Sequence, residues 1–332
     1  MKTLKSIIRI GLPFALAAAI LWWMYRGVQG EELQRAFTTD MSWTWMLLSF
    51  PFGISAQVFR AMRWNQLLEP LGERPRLHTS IAAIFLSYAS SLVIPRVGEV
   101  LRCGTLRNYE GTNFSRAIGT VVTERIVDML LVLAFSVLTM MTQIPVFLTF
   151  FRRTGMTVRG TMQGFTTTGY LVTLLCALLI VALGIALVYR LQVFSRLRHV
   201  VKDLSAGLLS IRSVRSPLLF ILYSIGIWLS YYLHFYVALF CFPCTEQLGP
   251  VVAMVAFVVG CFAVLVPTPN GAGPWHFAVK TVFVLYGVAQ AEAVLSVLVI
   301  HTVQTLLVAA LGLYALAALA LTKKKDRPAK ND

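Results

Sequence analysis

Long apolar runs separated by short basic stretches constrain this chain more than any other feature. A membrane-spanning helix needs about 20 mostly apolar residues. Seven runs approach or exceed that length: 8–25, 42–60, 117–142, 168–190, 217–241, 249–267 and 291–321. Hydrophobic residues make up 58% of the 332 residues and charged residues only 13%, whereas soluble domains are about a quarter charged. The sequence therefore predicts an all-α, polytopic transmembrane helical bundle of about seven to eight spanning helices.

The organisation predicted from these runs is one membrane-embedded domain over residues 1–332. Within it we expect an amphipathic cytoplasmic segment at 191–215 and a basic cytoplasmic tail at 322–332. The first run, 8–25, also resembles a cleaved signal peptide. Aromatic residues that follow its small residues, such as Trp22, favour an uncleaved helix with an interfacial aromatic belt.

Two shorter apolar stretches, 79–94 and 275–288, interrupt the pattern, and each adjoins a polar segment containing Pro and Gly. Basic residues flank 79–94 on both sides, so the positive-inside rule predicts that it enters and leaves on the cytoplasmic side. We expect one or two re-entrant or broken helices, near 79–99 and 260–288. In transporters, one broken segment in each half is typical of a central binding site.

The same charge rule orients the rest of the chain. It predicts that 249–267 returns inward and that 275–288 visits the membrane from inside, although helix parity leaves open whether 275–288 spans or re-enters. Both termini are expected to be cytoplasmic. The segment 143–167 is predicted to lie outside, yet it carries Arg152, Arg153 and Arg159 without an acid, which contradicts the rule.

A formal net charge of +15 could indicate a nucleic-acid binder, but the basic residues lie between apolar runs rather than on a polar domain. That placement favours contact with anionic lipid head groups, so phospholipids at the cytoplasmic face, and no nucleic acid, are the expected partners. The sequence leaves a homo-oligomer open. Cys241 and Cys244 form a C-x-x-C, but no thioredoxin-like pattern surrounds them, and incidental placement at a helix end is favoured over a redox role.

Two charged clusters stand in the first half of the chain. Proline and glycine (Pro95, Gly98) begin a segment in which Arg96, Glu99 and Arg102 follow at three-residue spacing, so that on a helix they would share one side. The second cluster lies inside an apolar helix and consists of Glu124, Arg125 and Asp128. Charges there are costly unless paired or hydrated. We interpret Arg96, Arg102 and Arg125 as lipid-phosphate ligands, and the three acids as supporting ion pairs; interfacial charges or a structural network are the alternatives.

A third cluster lies between the apolar runs of the second half, where a Pro/Gly-rich segment cannot be regular helix. Its broken-helix residues are Pro267, Pro269 and Pro274, and its candidate head-group ligands are Asn270, Gly271, Gly273 and His276. The free helix N-terminus near Trp275 favours an anion. Arg60 and Arg63, by contrast, close the second helix together with Trp64 and are interpreted as interfacial anchors, with a lipid-contacting role as the alternative. A simple loop is the alternative for the Pro/Gly segment.

These three motifs, in this order, resemble the lysylphosphatidylglycerol synthase transmembrane-region family, also called the flippase-like domain family. The family patterns resemble P-x-R-x-G-E-x-x-R, E-R-x-x-D and P-x-P-G-G-x-G-x-x-E. This chain departs from the last at Asn270, where glycine is usual, and at His276, near the usual acid. The resemblance implies a bacterial inner-membrane protein that binds or flips phospholipids or related lipid-linked molecules. Only eleven residues follow Leu321, so we expect no soluble aminoacyl-transferase domain.

The preferred hypothesis is a lipid flippase-like transporter of the cytoplasmic membrane, not an enzyme, with no catalytic residue, metal or cofactor. The sequence contains no P-loop, H-E-x-x-H or G-x-S-x-G motif. Two alternatives stay open. The acids Glu99, Glu124 and Asp128 could bind a metal in a membrane enzyme that acts on lipid-linked phosphate or sugar, and buried charges would equally suit a small-solute or ion transporter.

Overall fold

The structure is a computed structural model that describes residues 18–22, 24, 31, 41–143, 210–266 and 268–323. The predicted helix 168–190, most of the predicted helix 8–25, the amphipathic segment up to residue 209 and the tail from residue 324 lie outside the described residues. Residues 1–136 and 203–332 form one compact unit, and the paragraphs below concern that unit. Of the second unit, 137–202, only the last turns of one helix, 137–143, are described.

The described residues fold into α-helices, short 3₁₀ turns and connecting loops, and contain no strand, which confirms the all-α prediction. The first half contains α1 (Trp43–Leu68), α2 (Leu77–Val93), α3 (Val97–Glu110) and α4 (Phe114–Thr142). The second half contains α5 (Pro217–Leu239), the single turn α6 (Pro243–Glu246), α7 (Pro250–Ala263), α8 (Pro274–Leu285) and α9 (Gln290–Leu321).

Two of the described helices, α5 and α9, are long and apolar enough to cross a membrane. α1 and α4 are also long, about 39 and 43 Å at 1.5 Å per residue, but they carry the charged residues discussed below. The outer faces of α4, α5 and α9 expose large apolar side chains, including Met129, Leu222 and Leu313. Exposed apolar faces of this extent need a non-aqueous surrounding, so the fold is that of an α-helical membrane protein.

Ion pairs and main-chain contacts gather several helix ends at one end of the molecule, which we call the basic end. Arg76, just before α2, bonds Glu110 at the end of α3 over 2.7 Å, and also donates to the carbonyl of Lys323, just after α9. Arg116 at the start of α4 donates to the carbonyl of Leu71, just after α1. Five helix ends therefore lie together at the basic end: the end of α1, the start of α2, the end of α3, the start of α4 and the end of α9.

The α2–α3 pair is a re-entrant hairpin, as the sequence predicted. It starts and ends at the basic end, and its helices are only about 26 and 21 Å long, shorter than a hydrocarbon core of about 30 Å. The chain turns back at Pro95 and Arg96. Gly98 makes the close approach possible, because a Cβ there would lie 2.0 Å from the carbonyl oxygen of Ser87.

The α7–α8 pair is a second re-entrant hairpin, and it enters from the opposite end. The amide of Ser42, before α1, donates to the carbonyl of Cys241, after α5, so these two termini lie away from the basic end. Leu248, before α7, packs in one core with Val288 and Ala293, after α8. Both ends of this hairpin thus lie at the far end. The broken helix expected near 260–288 is therefore present. The accompanying expectation that 249–267 crosses inward and that 275–288 enters from inside is wrong, because neither α7 nor α8 is long enough to cross.

The tips of the two hairpins meet inside the molecule. Arg96 donates from Nη2 to the carbonyl of Leu265 over 3.0 Å, and the 3₁₀ turn Pro269–Gly271 packs against α2. α9 supports both hairpins and approaches α2 closely at Gly312, whose added Cβ would lie 2.2 Å from that of Ala89. Two irregular segments are therefore held at membrane depth with protein around them, which is the condition for tolerating broken helix there.

Candidate functional site

A network of arginines and carboxylates connects α1, α3 and α4 inside the bundle; we call it the arginine–carboxylate cluster. Its members are Arg60 and Arg63 on α1, Glu99 and Arg102 on α3, and Glu124, Arg125 and Asp128 on α4. Asp128 lies about 21 Å along α4 from Phe114, and Arg60 about 12 Å back from the end of α1 at Leu68. The cluster therefore lies about 12 to 21 Å along these helices from the basic end.

Asp128 is the centre of the cluster, because two guanidinium groups from α1 bond its two oxygens. Arg60 Nη1 lies 2.6 Å from Oδ2, and Arg63 Nη2 lies 2.7 Å from Oδ1. Arg63 also lies 3.6 Å from Glu124, so it is the cation between the two neighbouring carboxylates of α4. The i, i+4 spacing of Glu124 and Asp128 puts both acids on the face that α1 covers.

Arg102 forms the second buried connection, from α3 to α4. Its Nη2 lies 2.7 Å from Oε2 of Glu124, and its guanidinium stacks over the ring of Trp64, with 4.6 Å from Cζ to the ring centroid. Both charged side chains are almost fully buried, at 2% and 0% exposure. Stacking on an aromatic face satisfies part of the cation's charge without using its N–H donors, which leaves donors free for a ligand.

Arg125 and Glu99 form the exposed rim of the cluster. Their Nε and Oε1 atoms lie 3.1 Å apart, with the side chains 44% and 39% exposed. Arg125 also lies 3.5 Å from Asp128, three residues further along α4, and this ion pair connects the rim to the buried centre. Both rim residues could contact a lipid head group at the bundle surface.

Arg60 and Arg63 were assigned the wrong role from the sequence. They are buried at 2% and 0% exposure, and α1 continues for five further residues to Leu68 instead of closing at Arg63. Arg60 also lies within about 6 Å of the rings of Tyr88 and Tyr231, whose hydroxyls bond each other over 2.9 Å. One signal could have identified them: two arginines three apart on α1 match two acids four apart on α4, in a chain with few acids.

The residues predicted at the Pro/Gly segment form a separate group around the tip of the second hairpin. Asn270 adopts a left-handed conformation at φ 50°, and its side-chain amide donates to Thr305 of α9 over 2.7 Å. Gly271 and Gly273 also have positive φ, and His276 is buried beneath them at 2% exposure. Pro269 begins the 3₁₀ turn and Pro274 the helix α8, as expected for proline at a first helical position. Pro267 lies outside the described residues.

Arg96 belongs with this second group rather than with the other arginines. It is exposed, caps α3 from a left-handed conformation at φ 65°, and bonds the second hairpin through Leu265. We expected Arg96, Glu99 and Arg102 to share one face of a helix. They do not, because α3 begins only at Val97 and Arg96 precedes it. The structure thus brings five predicted site residues together at the arginine–carboxylate cluster and five at the tips of the hairpins: Glu99, Arg102, Glu124, Arg125 and Asp128 in the first group, and Arg96, Asn270, Gly271, Gly273 and His276 in the second.

The model of the family described as lysylphosphatidylglycerol synthase TM region matches residues 10–312 of this chain. The chain belongs to this family. No curated protein and no solved structure matches it in the corresponding comparisons. As a member of the lysylphosphatidylglycerol synthase transmembrane-region family, the chain is a membrane protein of the flippase-like kind, and the match spans both hairpins and the whole arginine–carboxylate cluster.

The described residues offer neither a group of metal ligands nor a reactive thiol pair. No group of three or more His, Cys, Asp or Glu that could hold a metal occurs among the described residues, and Glu124 and Asp128 face arginines instead. Cys241 and Cys244 are free thiols. Burial raises the pKa of Cys241 to about 12 and that of Cys244 to about 11. Protonated thiols are poor nucleophiles, which disfavours a redox role.

Proposed function

We propose that the protein is a lipid carrier that binds the anionic head group of a phospholipid at the arginine–carboxylate cluster and moves it between the two leaflets. The charge balance of the buried residues carries this proposal. Among the described residues, the buried part of the cluster contains three arginines, Arg60, Arg63 and Arg102, but only two carboxylates, Glu124 and Asp128. An uncompensated buried cation is costly, so a bound monoanion would stabilise the site.

Open hydrogen-bond donors support an anion in this place. Within the described part of the chain, Nε and Nη1 of Arg102 have no hydrogen-bond partner, although both atoms are buried. The Nε atoms of Arg60 and Arg63 are in the same situation. Guanidinium donors in a fixed fork match the oxygens of a phosphate or carboxylate, which makes a phosphodiester head group a suitable ligand.

The rim pair supports a lateral route for the lipid. Arg125 and Glu99 are each partly exposed, and Arg125 connects the pair to Asp128. The neighbouring outer face of α4 exposes Ile126, Met129 and Leu133. A head group could enter past the polar rim while its acyl chains stay against this apolar face, so that only the charged part of the lipid leaves the head-group region.

For orientation we propose that the basic end faces the cytoplasm of a bacterial cell, in the cytoplasmic membrane. Basic residues dominate its loops and helix ends, including Arg74, Arg107, Arg215 and Lys323, and the positive-inside rule places such regions in the cytoplasm. α9 ends there, and a first spanning helix before α1 would start there. Both termini are then cytoplasmic, where anionic lipid is the expected partner.

The test is a lipid-movement assay in proteoliposomes. Acyl-chain NBD-labelled phosphatidylglycerol and phosphatidylcholine are compared, with dithionite bleaching the label in the outer leaflet. We expect bleaching of phosphatidylglycerol beyond the outer-leaflet half, faster than that of phosphatidylcholine. Arg102→Gln removes the surplus cation and should abolish movement of the anionic lipid, whereas Arg107→Gln, an exposed arginine on the same helix, should not. Thermal unfolding checks that both variants are folded.

A third variant separates total charge from the particular donors of Arg102. Arg102→Gln combined with Glu124→Gln keeps one surplus positive charge but removes the open donors of Arg102, while those of Arg60 and Arg63 remain. Loss of lipid movement in this double variant assigns recognition to Arg102 itself, and retention assigns it to the net charge. Vesicles with wild-type protein that bleach like protein-free vesicles would refute the carrier function. Chemically altered lipid, detected by mass spectrometry, would favour an enzyme, and solute counterflow without lipid dependence a solute transporter.

A further inference from the structure

The tip of the second hairpin is closed by a ring of hydrogen bonds, and these bonds determine which ring nitrogen of His301 carries hydrogen. The side-chain amide of Asn270 donates to Oγ1 of Thr305 over 2.7 Å. His301 Nε2 lies 3.2 Å from the main-chain oxygen of Asn270, and its Nδ1 lies 3.4 Å from Oγ1 of Thr305. A carbonyl oxygen only accepts, so Nε2 of His301 carries hydrogen. The Thr305 hydroxyl can donate to Nδ1 of a neutral ring, which closes the loop.

His276 is held in the opposite sense, as an acceptor. The amide of Gly273 donates to Nδ1 of His276 over 3.3 Å. An amide only donates, so Nδ1 must be unprotonated for this bond to exist. His276 is the third residue of α8 and Gly273 is its N-cap, which is the relation in which Glu or Gln commonly caps a helix. In this chain a titratable imidazole occupies that capping position.

The surroundings of His276 disfavour a second proton on its ring. Its centroid lies 4.3 Å from that of His301, and its position in the first turn of α8 is close to the positive end of the helix dipole. Other basic groups are on the same or adjoining elements. Lys280 lies one turn further along α8, and Arg96 bonds the carbonyl of Leu265 just before the tip. His234 of α5 contacts α9 through its carbonyl, which accepts from Gln304. The closed tip is therefore compatible only with neutral His276.

We propose that His276 is a proton-binding site whose occupancy opens the tip of the second hairpin. A proton from water binds Nδ1, the ring gains one positive charge, and the Gly273 amide loses its acceptor. α8 then loses its cap, and the new cation lies beside His301 and the helix dipole. Because Arg96 ties this tip to the first hairpin, opening also releases the contact between the hairpins. A hydrated histidine titrates at about pH 6.5, so acidification below that value favours the open tip.

This site extends the lipid-carrier proposal but does not rest on it, and its test needs no transport. Hydrogen exchange of the full protein in lipid nanodiscs is followed by mass spectrometry from pH 5 to pH 8, with rates corrected for the intrinsic chemistry. The reporter is the segment 268–280, and α1 is the internal reference. If opening takes up one proton, the corrected exchange rate should rise about tenfold per pH unit below the midpoint.

Two substitutions at the capping position make the test specific. His276→Gln keeps a side chain that can accept from Gly273 but cannot be protonated in this range, so exchange of 268–280 should be slow and independent of pH. His276→Glu should keep the cap and move the transition to lower pH. A wild-type rate independent of pH, or a pH slope that persists in His276→Gln, would overturn the proposal. Failure of lipid movement with the pH slope intact would count against the carrier function alone.

Discussion

Arg96 and Leu265, 169 positions apart in the chain, are joined by a 3.0 Å hydrogen bond from Nη2 to a main-chain carbonyl. The bond connects two hairpins that enter the bundle from opposite ends. Arg96 makes it from a left-handed conformation, with φ 65°, in which a Cβ comes too close to the following carbonyl. Arg96 keeps this strained conformation at the point where the two broken helices meet. The surrounding contacts therefore stabilise it by more than the left-handed backbone costs.

The strain at Arg96 can be measured by comparing two variants that both lose the guanidinium. Arg96→Ala keeps the Cβ and its clash, whereas Arg96→Gly removes both. We expect Arg96→Gly to be more stable than Arg96→Ala by about 0.5–1 kcal/mol, because relief of strain exceeds the added freedom of the unfolded chain. Thermal unfolding in one detergent measures the difference. An alanine variant more stable than the glycine variant would show that position 96 is unstrained.

The close packing of the first hairpin predicts opposite effects of the same substitution at two glycines of α3. Alanine at Gly98 would bring a Cβ to 2.0 Å from the carbonyl of Ser87, which is backbone and cannot move away cheaply. We expect a loss of about 3 kcal/mol or more. At Gly104 an added Cβ meets nothing within 4 Å, so Gly104→Ala should leave stability unchanged or raise it by about 1 kcal/mol.

The readout for this pair is the unfolding midpoint, with circular dichroism to confirm helicity. A Gly98→Ala protein as stable as Gly104→Ala would mean that α2 and α3 do not approach as closely as described. Because both glycines lie on one helix, changes in helix propensity affect the two variants alike, and the difference between them reports the contact with Ser87.

Local sequence signals predicted much of this fold, since they depend on neighbouring residues. The break at Pro95–Gly98 follows from proline geometry, and basic residues on both sides of α2 indicate re-entry. The second hairpin could not be oriented in the same way. The sequence of α7 is apolar enough to span a membrane, and only the structure shows that the helix ends early, at Ala263. Charge counts carry no information about that length.

The candidate site was predicted only in part, for a related reason. The acids of α4 were evident because charge inside an apolar helix is costly. Their partners Arg60 and Arg63 lie near the end of an apolar run, where arginine is ordinarily an interfacial anchor. Their role depends on α1 continuing to Leu68, and on which helix packs beside it. Both are properties of tertiary packing that a single sequence does not contain.

The central position of Asp128 predicts a large effect of an isosteric change. Asp128→Asn leaves Arg60 and Arg63 buried without their main carboxylate, which should cost about 3–5 kcal/mol. Glu99→Gln removes a carboxylate from the partly exposed rim, where an ion pair contributes about 1 kcal/mol or less. Adding Arg60→Gln to Asp128→Asn should recover part of the loss, since it removes one unpaired cation. Equal destabilisation by the two single variants would place Asp128 outside the core of the cluster.

At the basic end, the bond between Arg76 and Glu110 predicts a dependence of stability on pH. Burial alone would raise the pKa of Glu110, but the neighbouring Thr79 hydroxyl and the Arg76 guanidinium hold it below the usual range. A lowered pKa in the folded state stabilises the protein above the unfolded-state value of about 4.3, and this contribution is lost as the pH falls through the folded value.

At pH 7, Glu110→Gln should therefore have a free energy of unfolding about 1–2 kcal/mol lower than wild type, and thermal unfolding measures this gap. The gap should close below about pH 4. Arg74→Gln, which removes an exposed cation 3.7 Å from Glu69 at the same end, serves as the control. If the stability difference between Glu110→Gln and wild type stays constant from pH 7 to pH 3.5, the Glu110 carboxylate is not the group that titrates.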